Sequence, residues 1–331
     1  MAATEGISSD DSESKEVEAK FGLRHTLKQI KRDPTARFGM YVLGVVIAVT
    51  LFATIDTNLS ALTFGRYDNF TLAEVLPILE NPEQIPDPPY STWDPPAWQA
   101  EGSWEHPLGT DHQGRDYVSR LVYGTRVSMM VAIFATAFGA VGGTLIGAIA
   151  GYYGGWVDEA LMRFIEMIYA IPPLILVIVF TVFVSQNNPD IQYALIGVGI
   201  AASPVFARII RSRVLSIREM EYIEAAKAAG VKDRNIIMRH VIPNSFAPVV
   251  VYASLYAGIS ILIVAGLSFL GYGAQPPTPD WGQMISRAHR TQMHINPIAS
   301  VWPGIAIIIT VMGFNLLGDG LQDALDPRIE N

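Results

Sequence analysis

The side chains best suited to chemistry form a short group within a polar, proline-rich part of the sequence. The group contains His106, Asp111, His112 and Asp116. Imidazole and carboxylate groups bind transition metals, so a metal site is one interpretation. The triplets at 109–111 and 114–116, Gly-Thr-Asp and Gly-Arg-Asp, are more typical of turns and a helix cap. The pattern therefore favours a structural role, and we expect no metal here.

Sequence motifs for the common catalytic sites are absent. No Gly-Lys pair occurs, so there is no Walker A loop to bind nucleotide phosphates. The sequence also lacks a nucleophile elbow and a His-Glu-x-x-His pair, and it contains no cysteine. We therefore expect no catalytic residue and no cofactor, and any ATP hydrolysis linked to this chain has to occur in a separate protein.

The apolar residues, which make up 50% of the 331 residues, are clustered into long windows without charge. A bilayer crossing needs about 20 mostly apolar residues in a helix, whereas buried strands are only about 4 to 8 residues long. Six windows have the length of a crossing: Phe38–Ile55, Val127–Val157, Met167–Pro189, Ile191–Ala207, Val241–Pro279 and Asn296–Gly318. The sequence therefore predicts an all-α polytopic membrane protein with about six transmembrane helices and no nucleic-acid partner.

Lysine and arginine are concentrated in two segments beside these windows. Short cytoplasmic loops of membrane proteins are rich in both residues. The first segment contains Lys20, Arg24, Lys28, Lys31, Arg32 and Arg37, and the second contains Arg208, Arg211, Arg213, Arg218, Lys227, Lys232, Arg234 and Arg239. With six crossings, this distribution predicts that both termini and the 208–243 loop are cytoplasmic.

The order of these features divides the chain into five parts. They are a cytoplasmic tail (1–37, with an acidic and disordered 1–20), a first transmembrane helix (38–57), an external Pro-rich loop with an interfacial helix (58–126), a five-helix core (127–321) containing a cytoplasmic loop (215–243), and a cytoplasmic tail (322–331). The first window follows an acidic head and not a short basic region, so we expect a retained helix. Asp116 is the predicted N-cap of the interfacial helix.

Small residues and prolines mark special positions in the predicted spans. The second span has a glycine at every fourth position: Gly139, Gly143, Gly147, Gly151 and Gly155. This spacing predicts close approach of another helix. Pro172 and Pro173 in the third span, Pro204 in the fourth and Pro303 in the sixth should each kink or interrupt a helix. Broken helices often line a pathway, but prolyl kinks also occur without such a role.

The basic 218–244 segment, REMEYIEAAKAAGVKDRNIIMRHVIPN, has the composition of two short helices. Strong helix formers fill Glu219–Ala229, and Gly230 follows as a C-terminal stop. Asp233 is the predicted cap of a second helix, which Pro243 should end. Four alanines in the first helix give it a flat surface: Ala225, Ala226, Ala228 and Ala229. This surface could dock on a soluble partner, or the segment could be a solvated amphipathic loop.

The same segment resembles the EAA loop of ABC-importer permeases. It has Glu224-Ala225-Ala226, Gly230 four positions later, and a closing His240–Pro243. The resemblance implies that Glu224, Ala225, Ala226, Gly230 and Pro243 belong to a coupling helix that sits in a cleft of an ATPase subunit. His240 replaces the more common isoleucine, but it matches the dipeptide and oligopeptide branch of the family.

Further motifs resemble the second, C-type permease of that peptide and nickel branch. They are HPLGTDHQGRDYVSRLVYGTRVS from His106, GYYGGWVD from Gly151, LSFLGYGAQPPTPDWG from Leu267 and FNLLGDGLQDALDPR from Phe314. Together with the EAA loop they cover about 200 residues in the family's order. One departure is Val264, where the family pattern would have a glutamate.

The resemblance implies the fold of a type I ABC importer permease in the plasma membrane of a prokaryote. It also implies a heterodimer with a second permease, two ATP-binding subunits on the cytoplasmic face and an extracellular substrate-binding protein. Dipeptides or oligopeptides are the expected ligands, with nickel or oligosaccharides as alternatives. A channel and a secondary transporter are alternatives of other classes. The near absence of ionisable residues inside the spans argues against the secondary transporter.

Overall fold

The computed structural model describes residues 33–58, 79–83, 94–99, 101–186, 190–292 and 296–325. The helices in these ranges are α1 (Pro34–Thr57), α2 (Tyr117–Tyr153), α3 (Gly155–Tyr169), α4 (Pro173–Ser185), α5 (Ile191–Ile217), α6 (Glu221–Ala228), α7 (the consecutive segments Asp233–Ile236, Ile237–Val241 and Ile242–Ser245), α8 (Ala247–Phe269), α9 (Trp281–Arg287) and α10 (Val301–Leu325). These ranges contain no strand, so the all-α prediction is confirmed. The predicted disorder of 1–20 and most of the Pro-rich loop lie outside the described residues.

Aspartate side chains fix the start of several helices. Asp33, Asp116, Asp190 and Asp280 precede α1, α2, α5 and α9. Each carboxylate accepts a hydrogen bond from a backbone N–H of the first turn, which has no partner within the helix. The predicted cap at Asp116 is confirmed, because the Ser119 N–H donates to its carboxylate over 2.6 Å.

The length of α2 separates two faces of the molecule. Near its start, Arg120 donates to the carbonyl oxygen of Pro82 over 2.8 Å and to that of Pro277 over 3.5 Å. Near its end, the Tyr152 hydroxyl donates to Asp233 over 2.8 Å. A helix rises about 1.5 Å per residue, so these contacts are about 50 Å apart. They define a loop-rich face (79–83, 94–116 and 270–280) and an α6–α7 face.

The bent pair of α3 and α4 leads from one face to the other. Among the described residues, five helices are long and apolar enough to cross a bilayer, and α3 with α4, bent by 90°, would be a sixth crossing. Asp158 of α3 binds Arg211, which lies toward the α6–α7 face on α5. Ile191, at the other end of α5, lines a cavity together with Arg126 of α2. The pair therefore counts as one crossing.

The third predicted span, Met167–Pro189, is interrupted. Helix α3 ends at Tyr169 and α4 begins at Pro173. A proline disfavours helical backbone angles in the residue before it, and Pro172 accordingly has a ψ of 131°. Pro173 itself suits the first position of the next helix. The predicted interruption at Pro172 and Pro173 is thus confirmed.

The other two predicted prolines, Pro204 and Pro303, do not interrupt a helix. Helix α5 continues through Pro204, which is buried within it. Pro303 is the third residue of α10, where a backbone N–H has no partner within the helix and its loss costs little. The expected interruption is therefore confined to the Pro172–Pro173 pair.

Helices α1 and α10 run antiparallel along the molecule. At one end, a Cβ on Gly320 of α10 would lie 2.1 Å from the Cβ of Ala36 in α1. At the other end, Trp302 packs edge-on against Trp98 of the loop-rich face, with ring centroids 5.8 Å apart. Both ends of the described chain, at 33 and 325, therefore lie at the α6–α7 face. This arrangement agrees with an even number of crossings.

The glycine repeat of α2 packs directly against α5. A Cβ on Gly139 would lie 2.4 Å from the Cβ of Ala202, and one on Gly143 would lie 2.4 Å from the Ser203 carbonyl oxygen. Gly147 and Gly151 continue this contact along the next two turns of α2. Close helix packing, as predicted, is confirmed for these four glycines. Gly155 differs, because it begins α3 with a φ of +55° and a Cβ there would meet no atom within 4 Å.

Candidate functional site

Helix α6 ends in a hydrogen-bonded cap built on Gly230. The Gly230 N–H donates to the Lys227 carbonyl over 3.0 Å, and the Val231 N–H donates to the Ala226 carbonyl over 3.1 Å. This pair of bonds is the Schellman motif, which needs a left-handed residue after the helix. Gly230 has a φ of +77°, a value that glycine adopts without the steric cost of a Cβ. The predicted stop at Gly230 is therefore where the chain turns between α6 and α7.

One side of the α6–α7 segment is anchored in the apolar core. Ile223 of α6 and Ile236 and Val241 of α7 are fully buried. They belong to one cluster with residues of α5, among them Val214 and Ile217. Burying a side chain of this size contributes about 1.5–3 kcal/mol. On this side the segment is therefore a packed part of the fold.

The other side of the segment is exposed and carries most of the predicted residues. Glu224, Ala225, Gly230 and Pro243 are exposed, while Ala226 is half-buried against the apolar cluster. Large apolar side chains lie exposed around them: Met220, Tyr222, Val231, Met238 and Phe246. We call this side, from Met220 to Phe246, the α6–α7 surface. Exposed apolar groups beside charged ones are typical of a surface that contacts another protein.

The start and the end of α7 both differ from the sequence-based prediction. Lys232 is the N-cap, and Asp233 is the first helical residue and caps nothing. Pro243 does not end the helix, which continues to Ser245. A π-helical turn at Ile237–Val241 comes directly before the proline. Such a turn interrupts the regular bonding pattern, and this is how a helix accommodates a residue that lacks an N–H.

Tyr152 connects the α6–α7 segment to the end of α2. Its hydroxyl donates to Asp233 over 2.8 Å, which explains why that carboxylate does not cap α7. The Lys227 ammonium lies 5.1 Å from the centre of the Tyr152 ring, within the range of a cation–π contact. Sequence reasoning assigned Tyr152 no role, although the residue belongs to the quoted GYYGGWVD motif.

Two arginines, Arg211 in α5 and Arg218 directly after it, also tie the ends of the helices together at this face. Arg211 donates two hydrogen bonds, of 2.5 and 2.6 Å, to the carboxylate of Asp158 in α3. Arg218 donates to the Gly151 carbonyl of α2 over 3.0 Å. Bidentate arginine–carboxylate pairs fix orientation as well as distance. The ends of α2, α3 and α5 are thus fastened to each other and to α6–α7, so a force on α6–α7 acts on all three helices.

The polar group at 106–116 belongs to the opposite, loop-rich face, and its members make separate contacts. Asp111 binds Arg115 over 2.6 and 2.9 Å, and Arg120 lies 3.7 Å from the same carboxylate. Burial alone would raise the pKa of Asp111, but the hydrogen bonds and charge of Arg115 together with Arg120 outweigh it and lower the pKa. Asp116 caps α2, with His106 Nδ1 3.5 Å from its free oxygen.

These contacts give the group a structural role. Arg120 is fully buried and connects α2, the 79–83 segment and the 270–280 loop. Among the described residues, no set of three or more histidine, aspartate or glutamate side chains converges as metal ligands would. The geometry therefore favours the turns and cap over the metal-site interpretation.

Val264 lies inside the apolar core and contributes to packing. It is 2% exposed and belongs to the same cluster as Tyr256 and Leu267. A glutamate here, as in the family pattern, would be a buried carboxylate and would need a partner to offset its lost hydration. The difference at this position is therefore one of local polarity in the core of α8.

Comparison with known proteins gives consistent matches. The pattern of the family described as binding-protein-dependent transport system inner membrane component matches residues 143–331. The dipeptide transport system permease protein DppC of Alkalihalophilus pseudofirmus is 38% identical over 308 residues, which are 93% of this chain and 90% of that protein. The glutathione transport system permease protein GsiD of Pectobacterium atrosepticum is 42% identical over 226 residues, 68% of this chain and 74% of that protein.

A solved structure has the same fold. An inward-facing structure of the MetNI methionine ABC transporter matches with a TM-score of 0.52 at 18% identity. The match covers 62% of this chain and 97% of the compared chain. The part of this chain outside the match is therefore additional to a nearly complete copy of that smaller permease fold.

Proposed function

Because this chain belongs to the family of binding-protein-dependent transport system inner membrane components and is the permease of an ABC importer, we propose that its cargo is a short peptide. The family resemblance inferred from the motifs is confirmed. Two relatives that cover two thirds or more of the chain are named for dipeptide and for glutathione transport, and glutathione is itself a small peptide. Nickel or an oligosaccharide is the alternative cargo.

The α6–α7 surface is the proposed docking site for an ATPase subunit. The observation that carries this proposal is an exposed, rigidly capped helix with a buried anchor on its other side. Glu224 and Ala225 would face the cleft of the ATPase, Ala226 would hold α6 against the core, and Gly230 would fix the angle between α6 and α7. Pro243 would mark the return toward α8. The contacts of Tyr152, Arg211 and Arg218 would pass the ATPase motion to α2, α3 and α5.

This role requires that the α6–α7 face lies in the cytoplasm. Its basic residues support that orientation, because short cytoplasmic loops are rich in lysine and arginine. Both ends of the described chain would then be cytoplasmic, and the loop-rich face would be external. A substrate-binding protein would deliver its ligand there, and a second permease would enclose the pathway together with this chain. Two ATP-binding subunits would complete the importer and hydrolyse the ATP.

Replacing Glu224 with lysine is expected to remove the ATPase subunits from the complex. The substitution reverses one charge on the exposed side of α6, where it would oppose the partner surface. A reversed charge in a buried, paired interface costs several kcal/mol, so we expect a loss of binding of about a hundredfold or more. The measurement is co-purification of the ATPase subunits with the tagged permease from cells that express all subunits.

Glu105→Lys is the matched control for this experiment. It makes the same charge change at an exposed position on the loop-rich face. We expect ATPase subunits to co-purify with Glu105→Lys as with the natural protein. Equal recovery of the ATPase subunits with Glu224→Lys would refute the docking site.

The cargo is tested by reconstituting the whole importer with its own binding protein. We expect ATP-dependent accumulation of a labelled dipeptide in proteoliposomes, and competition by unlabelled dipeptides and tripeptides. Omitting ATP or the binding protein should each abolish the accumulation. Competition by a nickel chelate or an oligosaccharide, with no effect of peptides, would show that the cargo belongs to another class.

A further inference from the structure

A cavity of about 640 Å³ opens between α1 and α2 at the loop-rich face. Each helix lines the cavity with one of its faces, so the lining residues of a helix recur about every three or four positions. Helix α1 contributes Thr50 and Asp56, and α2 contributes Arg126, Ile133 and Phe134. The 79–83 segment contributes Glu83, and the 270–280 loop completes the mouth. The volume lies in the range of small-molecule sites, which is about 300–1,000 Å³.

The directions of the two helices separate the mouth of the cavity from its deeper part. Helix α1 ends at the loop-rich face and α2 begins there, so Asp56, Arg126 and Glu83 lie at the mouth. Ile133 and Phe134 lie about two or three helical turns deeper along α2. The cavity therefore has charged groups of both signs at its mouth, and its deeper part is lined by the partly exposed Ile133 and Phe134 of α2 and by Thr50 of α1.

Arg126 is the distinctive group at this mouth. It is half-buried, and the described part of the chain provides it with no ion pair or hydrogen bond. Arg115 and Arg120 of this face, by contrast, contact carboxylate or carbonyl oxygens. On the opposite wall, Asp56 accepts a hydrogen bond from Tyr123 and is held in place by it. A guanidinium without a carboxylate partner is well suited to bind one from a ligand.

We propose that this cavity binds the released peptide, with the peptide carboxylate at Arg126 and its ammonium group toward Glu83. The proposal rests on the proposed peptide cargo and assigns the residues that recognise it in the permease itself. A short peptide is a zwitterion with apolar or mixed side chains, and the mouth and the deeper part of the cavity complement these two parts. Among the described residues, no three histidine, aspartate or glutamate side chains converge here as the ligands of a metal ion would.

The test uses the complete importer in nanodiscs with the binding protein omitted, so that only sites in the membrane complex are measured. The probes are alanyl-phenylalanine, its C-terminal amide and its N-acetyl form. We expect saturable binding of the free dipeptide and a dissociation constant about tenfold or more higher for the amide, corresponding to about 1.4 kcal/mol for the lost charge pair. The N-acetyl form should also bind more weakly, because it lacks the ammonium group.

Arg126→Met removes the same charge pair from the protein side. It should weaken binding of the free dipeptide by about the same factor, and the amide should then bind no more weakly than the dipeptide does. Arg126→Lys keeps the charge and should restore most of the affinity. Arg163→Met is the matched control, since Arg163 is an exposed arginine of α3 whose side chain lies 3.7 Å from Glu159. The comparison of dipeptide and amide on the natural protein needs no variant and therefore does not depend on folding.

Three outcomes would overturn this proposal: no saturable dipeptide binding, equal affinity for the dipeptide and its amide, or unchanged affinity in Arg126→Met. Each differs from failure of the proposed cargo. If the cargo is wrong, the reconstituted importer does not accumulate peptide. If only the cavity assignment is wrong, peptide accumulation continues while the membrane complex does not distinguish the dipeptide from its amide.

Discussion

Gly230→Pro is expected to abolish ATP-driven transport while the permease still inserts into the membrane. Proline fixes φ near −65°, whereas Gly230 has a φ of +77°. Proline also removes the N–H that donates to the Lys227 carbonyl at the end of α6. The Schellman cap therefore cannot form, at a cost of about 3 kcal/mol or more, and α6 loses its fixed angle to α7. Transport should fall below detection in proteoliposomes that contain all subunits.

Two other substitutions at the same position separate the backbone effect from the effect of a side chain. A Cβ on Gly230 would meet no atom within 4 Å, so Gly230→Ala introduces no clash. Its cost is the left-handed backbone alone, about 1–2 kcal/mol, and Gly230→Asn should cost less. We expect both variants to keep much of the transport rate, with asparagine above alanine. Uptake at the natural rate by Gly230→Pro, at equal membrane expression, would refute the role of this cap in coupling.

The features of this segment that sequence could predict are those determined by neighbouring residues. A run of strong helix-forming residues followed by a glycine predicts both α6 and the position where it ends. This is possible because the Schellman cap uses only residues within about one turn of Gly230. The same holds for Asp116, whose carboxylate bonds to an N–H three residues later. Helix length and apolar content likewise predict the crossings, since each helix satisfies its own backbone hydrogen bonds.

The features that sequence did not predict depend on distant partners. Asp233 has the chemistry of a helix cap, but Tyr152, 81 residues earlier, binds its carboxylate instead. Pro204 has the chemistry of a helix break, yet α5 stays continuous while it packs along α2. Pro172 and Pro173 differ because two adjacent prolines restrict their own backbone locally, whatever surrounds them. The cavity beside Arg126 could not be predicted either, because its walls come from segments that the sequence separates by up to 229 positions, from Thr50 to Pro279.

The contact between α2 and α5 is central to the proposed coupling, because α5 continues into α6. It depends on glycines whose place no other residue can take. A Cβ on Gly147 would lie 2.2 Å from the Ala207 carbonyl oxygen and 2.9 Å from two further backbone atoms of Ala207. A backbone atom cannot move aside as a flexible side chain can, so even a methyl group has to push the helices apart.

Gly147→Ala is therefore expected to destabilise the permease, by about 1–3 kcal/mol for overpacking at a close contact. Gly142→Ala is the matched control: the same change on the same helix, at a position where a Cβ meets no atom within 4 Å. Alanine is the better helix former by about 1 kcal/mol, so this control should be neutral or stabilising. The measurement is the thermal unfolding of the purified importer, with the yield of assembled complex. Gly147 lies on the side of α2 that faces α5, and Gly142 does not. The melting temperature should therefore fall in Gly147→Ala and stay the same or rise in Gly142→Ala. Equal melting temperatures for both would mean that the α2–α5 contact is looser in the membrane than in the structure, and the path from α6 to α2 would then lose its support.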